Sequence, residues 1–496
     1  MTNFNSWQRL AKQQTLGTAA WIDGRPYTAL SGATFAVINP ATNALLAEVS
    51  ACADADIDTA VRVARKSYES GPWARMQPRE RKAILLRLSE LILANREELA
   101  LLDSLSMGKP VMDAYNIDVP GAAHVFAWYA ESLDKLYDQV APTGPGTLAT
   151  ITRVPLGVIA AVVPWNFPLD MAAWKLAPAL AAGNSVILKP AEQSPFSALR
   201  LAELAAEAGL PAGVLSVVTG LGEHAGRALG LHPDVDALAF TGSTQVGKFF
   251  MNYSAQSNLK QVWLECGGKS PNLVFADCQD LDLAAEKAAF GIFFNQGEVC
   301  SANSRLLVER SIHDEFVERL QEKARHWQPG DPLDPASKMG AIVDAQQTAR
   351  VMDYITDASA SGAQRVAGGE QVVINGSNNF IQPTMFTGVA HDMRLSREEV
   401  FGPVLAITAF DDEDHAVQMA NDHIYGLAAS LWSDDLNRAH RVASRLHAGT
   451  VSVNTVDALD VCVPFGGGKQ SGFGRDLSLH SFDKYTQLKT TWFQLR

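Results

Sequence analysis

The alternation of apolar and polar positions changes character along the chain. Up to about residue 50, WIDGRPYT and ATFAVINPATNALLAEV read as short strands broken by turns. Helical spacing then takes over. It predicts a helix over Ile57–Ser70 and a long amphipathic one opening at Pro78, where a first-turn proline sacrifices no hydrogen bond. Leu85, Leu88 and Ile92 recur on one face of it. A further helix is expected over Gly121–Tyr137, with Phe126, Tyr129 and Leu133 on a stripe that reads as core or subunit packing.

From about residue 156 short β-rich runs alternate with helical ones. GVIAAVVP, NSVILKP, GVLSVVTG, VDALAFTG and VWLECGG are the strands, and SPFSALRLAELAAEAG and QVGKFFMNYS are helices between them. This rhythm predicts an α/β fold with a mostly parallel, doubly wound sheet. It resumes after Cys300 with SRLLVER, a helix from Ile312, and strands up to TVSVN and the glycine-rich PFGGGKQSGFGRD. Two α/β domains meeting near residue 266 follow from that pattern. The acidic run Asp411–His415 reads as a solvated loop or a helix start.

Composition narrows the function classes. Hydrophobic residues are 47% and charged ones 19%, which excludes wholesale disorder. The net charge of −13 argues against a nucleic-acid or anionic-membrane partner. Five cysteines without a CxxC pair argue against a disulfide framework and against a metal site, and fit a reducing compartment. MTNFNSWQRLAKQQ lacks the apolar core of a signal peptide, and the apolar run Val154–Leu169 is too short and proline-broken to span a bilayer. A cytoplasmic location is expected.

Several stretches could carry chemistry. In FNQGEVCSANSR, Cys300 stands among small and polar residues, as a thiol presented by a turn would; it is either a covalent nucleophile or a packed cysteine. In WLECGGKSP, Glu265 ends a strand beside two glycines, which suits a general base or a salt-bridged surface acid. Cys266 reads as packed. In FTGSTQVG a strand runs through Gly242 and Ser243 into a helix, so backbone N–H groups up to Gly247 could hold a phosphate, although GxGxxG is absent. In LKPAEQSP, Lys189 and Glu192 follow a buried strand and suit an adenosine ribose or an exposed loop pair. In VPWNFPLDMAAWK, the proline-stiffened Asn166 is the kind of amide that donates to an oxyanion.

The order PWNFP, KPAEQSP, FTGSTQVGK, LECGGKSPN, FNQGEVC, EEVFGPV, PFGGGKQSGFGRD resembles the NAD(P)-dependent aldehyde dehydrogenase superfamily, from about Trp21 to the C-terminus. Within it the chain is similar to bacterial enzymes of putrescine and arginine breakdown that oxidise 4-(γ-glutamylamino)butanal or 4-guanidinobutanal. The resemblance implies a variant Rossmann cofactor domain (1–125 and 155–265), a second α/β catalytic domain (266–475) and a small β oligomerisation element (126–154 and 476–496) that makes a homo-oligomer, dimer or tetramer. It implies Cys300 as nucleophile, Glu265 as base, and Asn166 with the Cys300 N–H as oxyanion hole. It implies NAD, with NADP possible, along Trp165, Lys189, Glu192, Gly222 and the Gly242–Gly247 turn, with Glu399 and Phe401 at the nicotinamide ribose.

The chain departs from the family pattern in places. Val299 replaces a second cysteine, Arg475-Asp476 replaces Arg-Glu, and Asp170 stands where leucine is frequent. Asp170, Asp457 and Asp460 at a tunnel mouth, above an aromatic sleeve of Phe167, Trp174, Phe294 and Phe465, suit an aldehyde with an amino, guanidino or γ-glutamylamino far end. A broader semialdehyde or betaine-type specificity is the alternative. A cofactor-free cysteine hydrolase or acyl transferase would want a histidine partner that no motif offers. A CoA-acylating enzyme would not need Glu265.

Overall fold

The computed structural model describes residues 3–495, so positions 1–2 and 496 of the expected segments lie outside it. An eight-stranded sheet organises the first half of the chain. Its parallel strands are, in chain order, Val158–Val162, Ser185–Lys189, Leu215–Val217, Ala237–Gly242 and Gln261–Cys266. They lie side by side as third, second, first, fourth, fifth. The order reverses between the first and fourth strands, the position at which open parallel sheets of this kind bind dinucleotides. Strand side chains alternate faces. Ile159 and Ala161 pack with the helices of one layer, while Val158, Ala160 and Val162 pack with Ala60, Val61 and Leu229 on the other.

A second sheet of seven strands begins at Pro271–Val274. Its order is Gln364–Ala367, Thr384–Thr387, Val404–Phe410, Arg305–Glu309, Pro271–Val274, Ala428–Trp432, Thr450–Val453. Only the first of these pairings is antiparallel. The chain then returns, and Gly472–Phe473 pairs antiparallel with Gln261–Cys266 at the edge of the first sheet. The two sheets therefore share a boundary at Glu265, which pairs with Gly472. A separate antiparallel sheet joins Gln139–Ala141, Thr147–Pro155 and Thr486–Gln494.

The expected α/β class is borne out, and some elements differ from their sequence reading. Phe4–Gln13 is a helix, capped by the Asn3 side chain, where only strands and turns were expected; Trp7 anchors it at zero exposure. The helix expected over Gly121–Tyr137 runs over Val119–Ser132 and continues a π-helical turn, Ala114–Asp118. Helical backbone runs without a break from Val111 to Ser132, so the helix starts well before Gly121 and Pro120 lies inside it. The domain line drawn at 126 falls inside this helix, whose Ala122, Phe126 and Tyr129 join the core of the first sheet. Among the described residues no helix is long and apolar enough to cross a membrane.

Candidate active site

Cys300 follows a loop whose conformation is not visible in its residue pattern. Asn295, Gln296 and Gly297 take three successive left-handed conformations, with φ of 49°, 57° and 73°. Such backbone costs non-glycine residues about 1–3 kcal/mol each and persists where the surroundings over-determine it. Here they do. Gln296 Oε1 accepts from the Gly340 N–H at 2.9 Å and Glu298 Oε1 from the Val343 N–H at 3.1 Å. A Cβ on Gly297 would stand 2.3 Å from the Gly402 carbonyl oxygen, so only glycine fits. The loop is thus clamped by Gly340, Val343 and Gly402, and Cys300 projects into a cavity of about 480 Å³.

Asn166 reaches the same cavity from the turn after the first parallel strand. Its Nδ2 donates to the Glu298 carbonyl at 2.8 Å, which fixes the amide and leaves one N–H uncommitted. Glu265 arrives from the end of the fifth strand, 4% exposed, with Oε1 unpartnered. Burial and then the charge of Asp476 push its carboxyl up to about 8, against the pull of Lys175, Lys484 and Arg475. Asp476 itself is buried between the Lys175 and Lys484 ammonium groups; burial alone would raise it, but the two lysines outweigh that and hold it below the usual range. The Cys300 thiol is pushed well up by burial, then by Glu265, Asp457 and Glu399. At rest it is a neutral thiol, and a base in the same cavity is what can take its proton. Among the described lining residues there is no histidine.

The cofactor-side residues divide into two groups. Trp165, Gly242, Ser243, Glu399 and Phe401 line the cavity with Cys300. Trp165 and Ser243 lie just beyond the first and fourth strands, across the point where strand order reverses. Ser243 caps the helix Thr244–Gln256, accepting from the Val246 N–H at 3.3 Å. Trp165 and Phe401 meet edge to face at 5.3 Å. Phe401 has φ 58°, held by Gln347 Nε2 donating to its carbonyl at 2.8 Å. Burial pushes Glu399 up to about 7, opposed by its hydrogen bond from the Gly268 N–H. Lys189, Glu192, Gly222 and Gly247 lie outside the cavity lining. Lys189 is buried at the end of the second strand with Nζ 3.6 Å from the half-exposed Glu192 carboxylate. Gly222 opens an exposed helical turn, and Gly247 is buried, packing against Cys266.

The expected sleeve assembles in part. Phe167, Trp174, Phe294 and Phe465 all line the cavity, with Trp174 and Phe465 edge to face at 5.4 Å. Asp170 and Asp457 line it too, and Asp457 Oδ1 accepts from the Ser301 hydroxyl at 2.7 Å. Asp460 does not line it; its carboxylate accepts from the Cys462 N–H at 2.9 Å on the exposed loop beyond. Cys266, read as merely packed, borders the cavity. Sequence reasoning missed Asp118, Gln347 and Arg350, which also border it. None of the three lies near a motif in the sequence, so no local signal marked them.

A cysteine, an anchored amide and a buried carboxyl thus meet where a dinucleotide crevice opens. A sequence model of the aldehyde dehydrogenase family matches residues 27–491.

The chain belongs to the aldehyde dehydrogenase family.

The family and fold expected from the motifs are borne out. This aldehyde dehydrogenase is 51% identical to an NADP/NAD-dependent aldehyde dehydrogenase, PuuC, of Escherichia coli (strain K12), over 99% of this chain and 98% of that one. Among solved structures it is similar to the gamma-glutamyl-gamma-aminobutyraldehyde dehydrogenase of Burkholderia cenocepacia J2315, at 52% identity, TM-score 0.98 and full coverage of both chains. It is equally similar, with TM-score 0.99 at 52% identity and full coverage, to a P. syringae indole-3-acetaldehyde dehydrogenase in complex with NAD+ and IAA.

Proposed function

We propose that this enzyme oxidises an aldehyde carrying a cationic far end, amino, guanidino or γ-glutamylamino, to its carboxylate with NAD, and that Cys300 forms the covalent intermediate. The observation that carries the reading is that Cys300, Asn166 and Glu265 share one cavity with an aromatic sleeve and carboxylates. The crevice fits a dinucleotide: Ser243 sits at a helix start across the reversal point, and Lys189 and Glu192 stand where a ribose diol could be held.

Cys300 gives up its proton through water in the cavity to solvent, its sulfur adds to the carbonyl carbon, and the C=O bonding pair moves onto the oxygen. The oxygen of the tetrahedral adduct takes hydrogen bonds from the Asn166 amide and the Cys300 N–H. A bound NAD would supply the acceptor for the hydride that leaves the adduct carbon. Cys300 is left as a thioester, and Glu265 takes a proton from the water that hydrolyses it. A group ionising near 8 serves both duties: protonated it does not repel the forming oxyanion, ionised it activates water. The absence of histidine from the described lining disfavours the cofactor-free hydrolase, which would lack a partner for its thiol.

We assign NAD binding to the first sheet and the nucleophile to the second. The chain forms a homo-oligomer through the three-stranded sheet, where Val140, Leu488, Trp492 and Phe493 are exposed in the single chain. The cysteines are all free thiols, which supports a cytoplasmic location. The test is reduction of NAD by 4-guanidinobutanal and by butanal. Turnover absent in Cys300→Ala, with a preference for the guanidino aldehyde in the unaltered enzyme, is the expected result; turnover that survives the substitution contradicts the reading.

A further inference from the structure

Glu298 does not line the cavity, yet it meets the catalytic groups from behind. Its backbone carbonyl accepts from Asn166 Nδ2 at 2.8 Å, and so holds the amide that faces the substrate oxygen. Its side chain reaches the other way, where Oε1 accepts from the Val343 N–H at 3.1 Å. One residue therefore has the oxyanion amide on its carbonyl and a distant backbone N–H on its carboxyl.

The Val343 end is fixed from both halves of the chain. The Ala341 N–H donates to the Gly108 carbonyl at 2.9 Å, and the Ile342 N–H donates to the Asn379 carbonyl at 2.7 Å. Gly108 ends the helix Arg96–Met107, whose Leu99, Leu101 and Leu105 join the core of the first sheet. Asn379 lies in the strand Ser377–Ile381, beyond the nucleophile. There is no room for a Cβ on Gly340 against the Gly108 carbonyl, so the two segments meet backbone to backbone. The Val343 N–H is thus a fixed point against which the nucleophile loop is held.

The Glu298 carboxyl is fully buried, and its Oε2 has no hydrogen-bond partner. Burial holds it well above the usual carboxylate range. The Val343 N–H opposes that rise, Asp344 adds to it, and Gln296 and the Lys109 ammonium, which already pairs with Asp118, oppose it. A protonated carboxyl keeps its acceptor oxygen. What position 298 offers Val343 is an acceptor at a set reach rather than a negative charge.

We propose that Glu298 is a positioning residue for the oxyanion hole: its side chain, anchored on Val343, sets where its own carbonyl holds the Asn166 amide, and the property that matters is the reach of its acceptor oxygen. This rests on the assignment of Asn166 to the oxyanion made above, and it names the side chain that aims that amide. A displacement of about 1 Å at such a site can cost about 10²-fold in rate.

The experiment compares Glu298→Gln, Glu298→Asp and Glu298→Met in the full-length enzyme with NAD and 4-guanidinobutanal. Glu298→Gln keeps an acceptor oxygen at the same reach and should hold kcat within about twofold. Glu298→Asp keeps the carboxyl but stops one methylene short, and Glu298→Met has no acceptor oxygen. Each should lower kcat about 10-fold or more and leave KM for NAD within about twofold. In the Asn166→Ala background Glu298→Asp should add less than about twofold, because the amide it aims is gone. Alkylation of Cys300 by iodoacetamide forms no oxyanion, and its rate in Glu298→Asp should stay within about twofold. Thermal unfolding identifies the folded variants; where Glu298→Asp or Glu298→Met does not fold, the other carries the comparison with Glu298→Gln. A folded Glu298→Asp or Glu298→Met with unaltered kcat overturns the proposal. So does a Glu298→Gln that is as slow as Glu298→Asp, or an alkylation rate that falls in step with kcat, which would tie the side chain to the thiol instead. If Asn166→Ala itself leaves kcat unaltered, the oxyanion assignment falls as well; if Asn166→Ala is slow and the Glu298 variants are not, only the role of Glu298 falls.

Discussion

The Asn166 side chain donates to the backbone carbonyl of Glu298 at 2.8 Å, so the turn after the first parallel strand is tied to the loop that presents Cys300. One N–H of the amide is spent on position and the other is left for a substrate oxygen. Asn295 adds to the join, its Nδ2 donating to the carbonyls of Asn166 and Glu298, both at 3.2 Å. The amide is aimed before any substrate arrives, which is the condition under which a donor stabilises a transition state without reorganising.

Replacing Asn166 by alanine should therefore lower kcat by roughly 10²–10³, about 2.7–4 kcal/mol, the usual effect of losing one oxyanion donor. Thermal unfolding and NAD affinity measured alongside separate this from loss of the Glu298 anchor. An equal fall in stability and activity, with unfolded protein accounting for the loss, would assign Asn166 a structural role only.

Glu265 should make thioester hydrolysis depend on pH. Its carboxyl is pushed up to about 8 by burial and Asp476. The base works when ionised, so the hydrolysis rate should climb from pH 6 to 9 with its midpoint near that value. Lys484 lowers the Glu265 value, so Lys484→Met should move the midpoint to higher pH, whereas Lys484→Arg should leave it in place. Single-turnover kinetics on the preformed acyl-enzyme read this directly. A flat profile would mean that another group activates water.

Glu192 should set cofactor choice. Its carboxylate lies 3.6 Å from the buried Lys189 ammonium and is partly open to solvent. A carboxylate accepts from a ribose diol and repels a 2′-phosphate. Glu192→Gln should raise KM for NAD and lower KM for NADP, shifting the ratio of kcat/KM by about 10-fold, the worth of one charge-assisted contact. An unchanged ratio would place the ribose elsewhere.

How far the sequence anticipates these arrangements depends on how local each one is. Cys300, Glu265 and Asn166 were legible because each sits in a short stretch with an unusual neighbourhood: small residues, paired glycines, flanking prolines. The parallel strands were legible because each is an apolar run ended by glycine, proline or lysine. What was not legible is non-local. The left-handed run Asn295–Gly297 is imposed by contacts to Gly340, Val343 and Gly402, none of them near in sequence. Asp118 reaches the cavity from a helical segment whose pattern reads as plain core. The helix Phe4–Gln13 is short and mostly polar, with only the narrow face Trp7, Leu10 and Ala11 packed on the core. Asp460 was grouped with Asp457 because they are close in sequence, but the loop turns between them.

The central claim is that substrate carbon becomes bonded to the sulfur of Cys300, and mass spectrometry of the trapped enzyme tests it most directly. Glu265→Gln should form the thioester and hydrolyse it slowly. After mixing with NAD and 4-guanidinobutanal and quenching in acid, the peptide containing Cys300 should gain the mass of the 4-guanidinobutanoyl group. Turnover that proceeds with no acyl group on that peptide, or with the group found on another residue, would contradict the account.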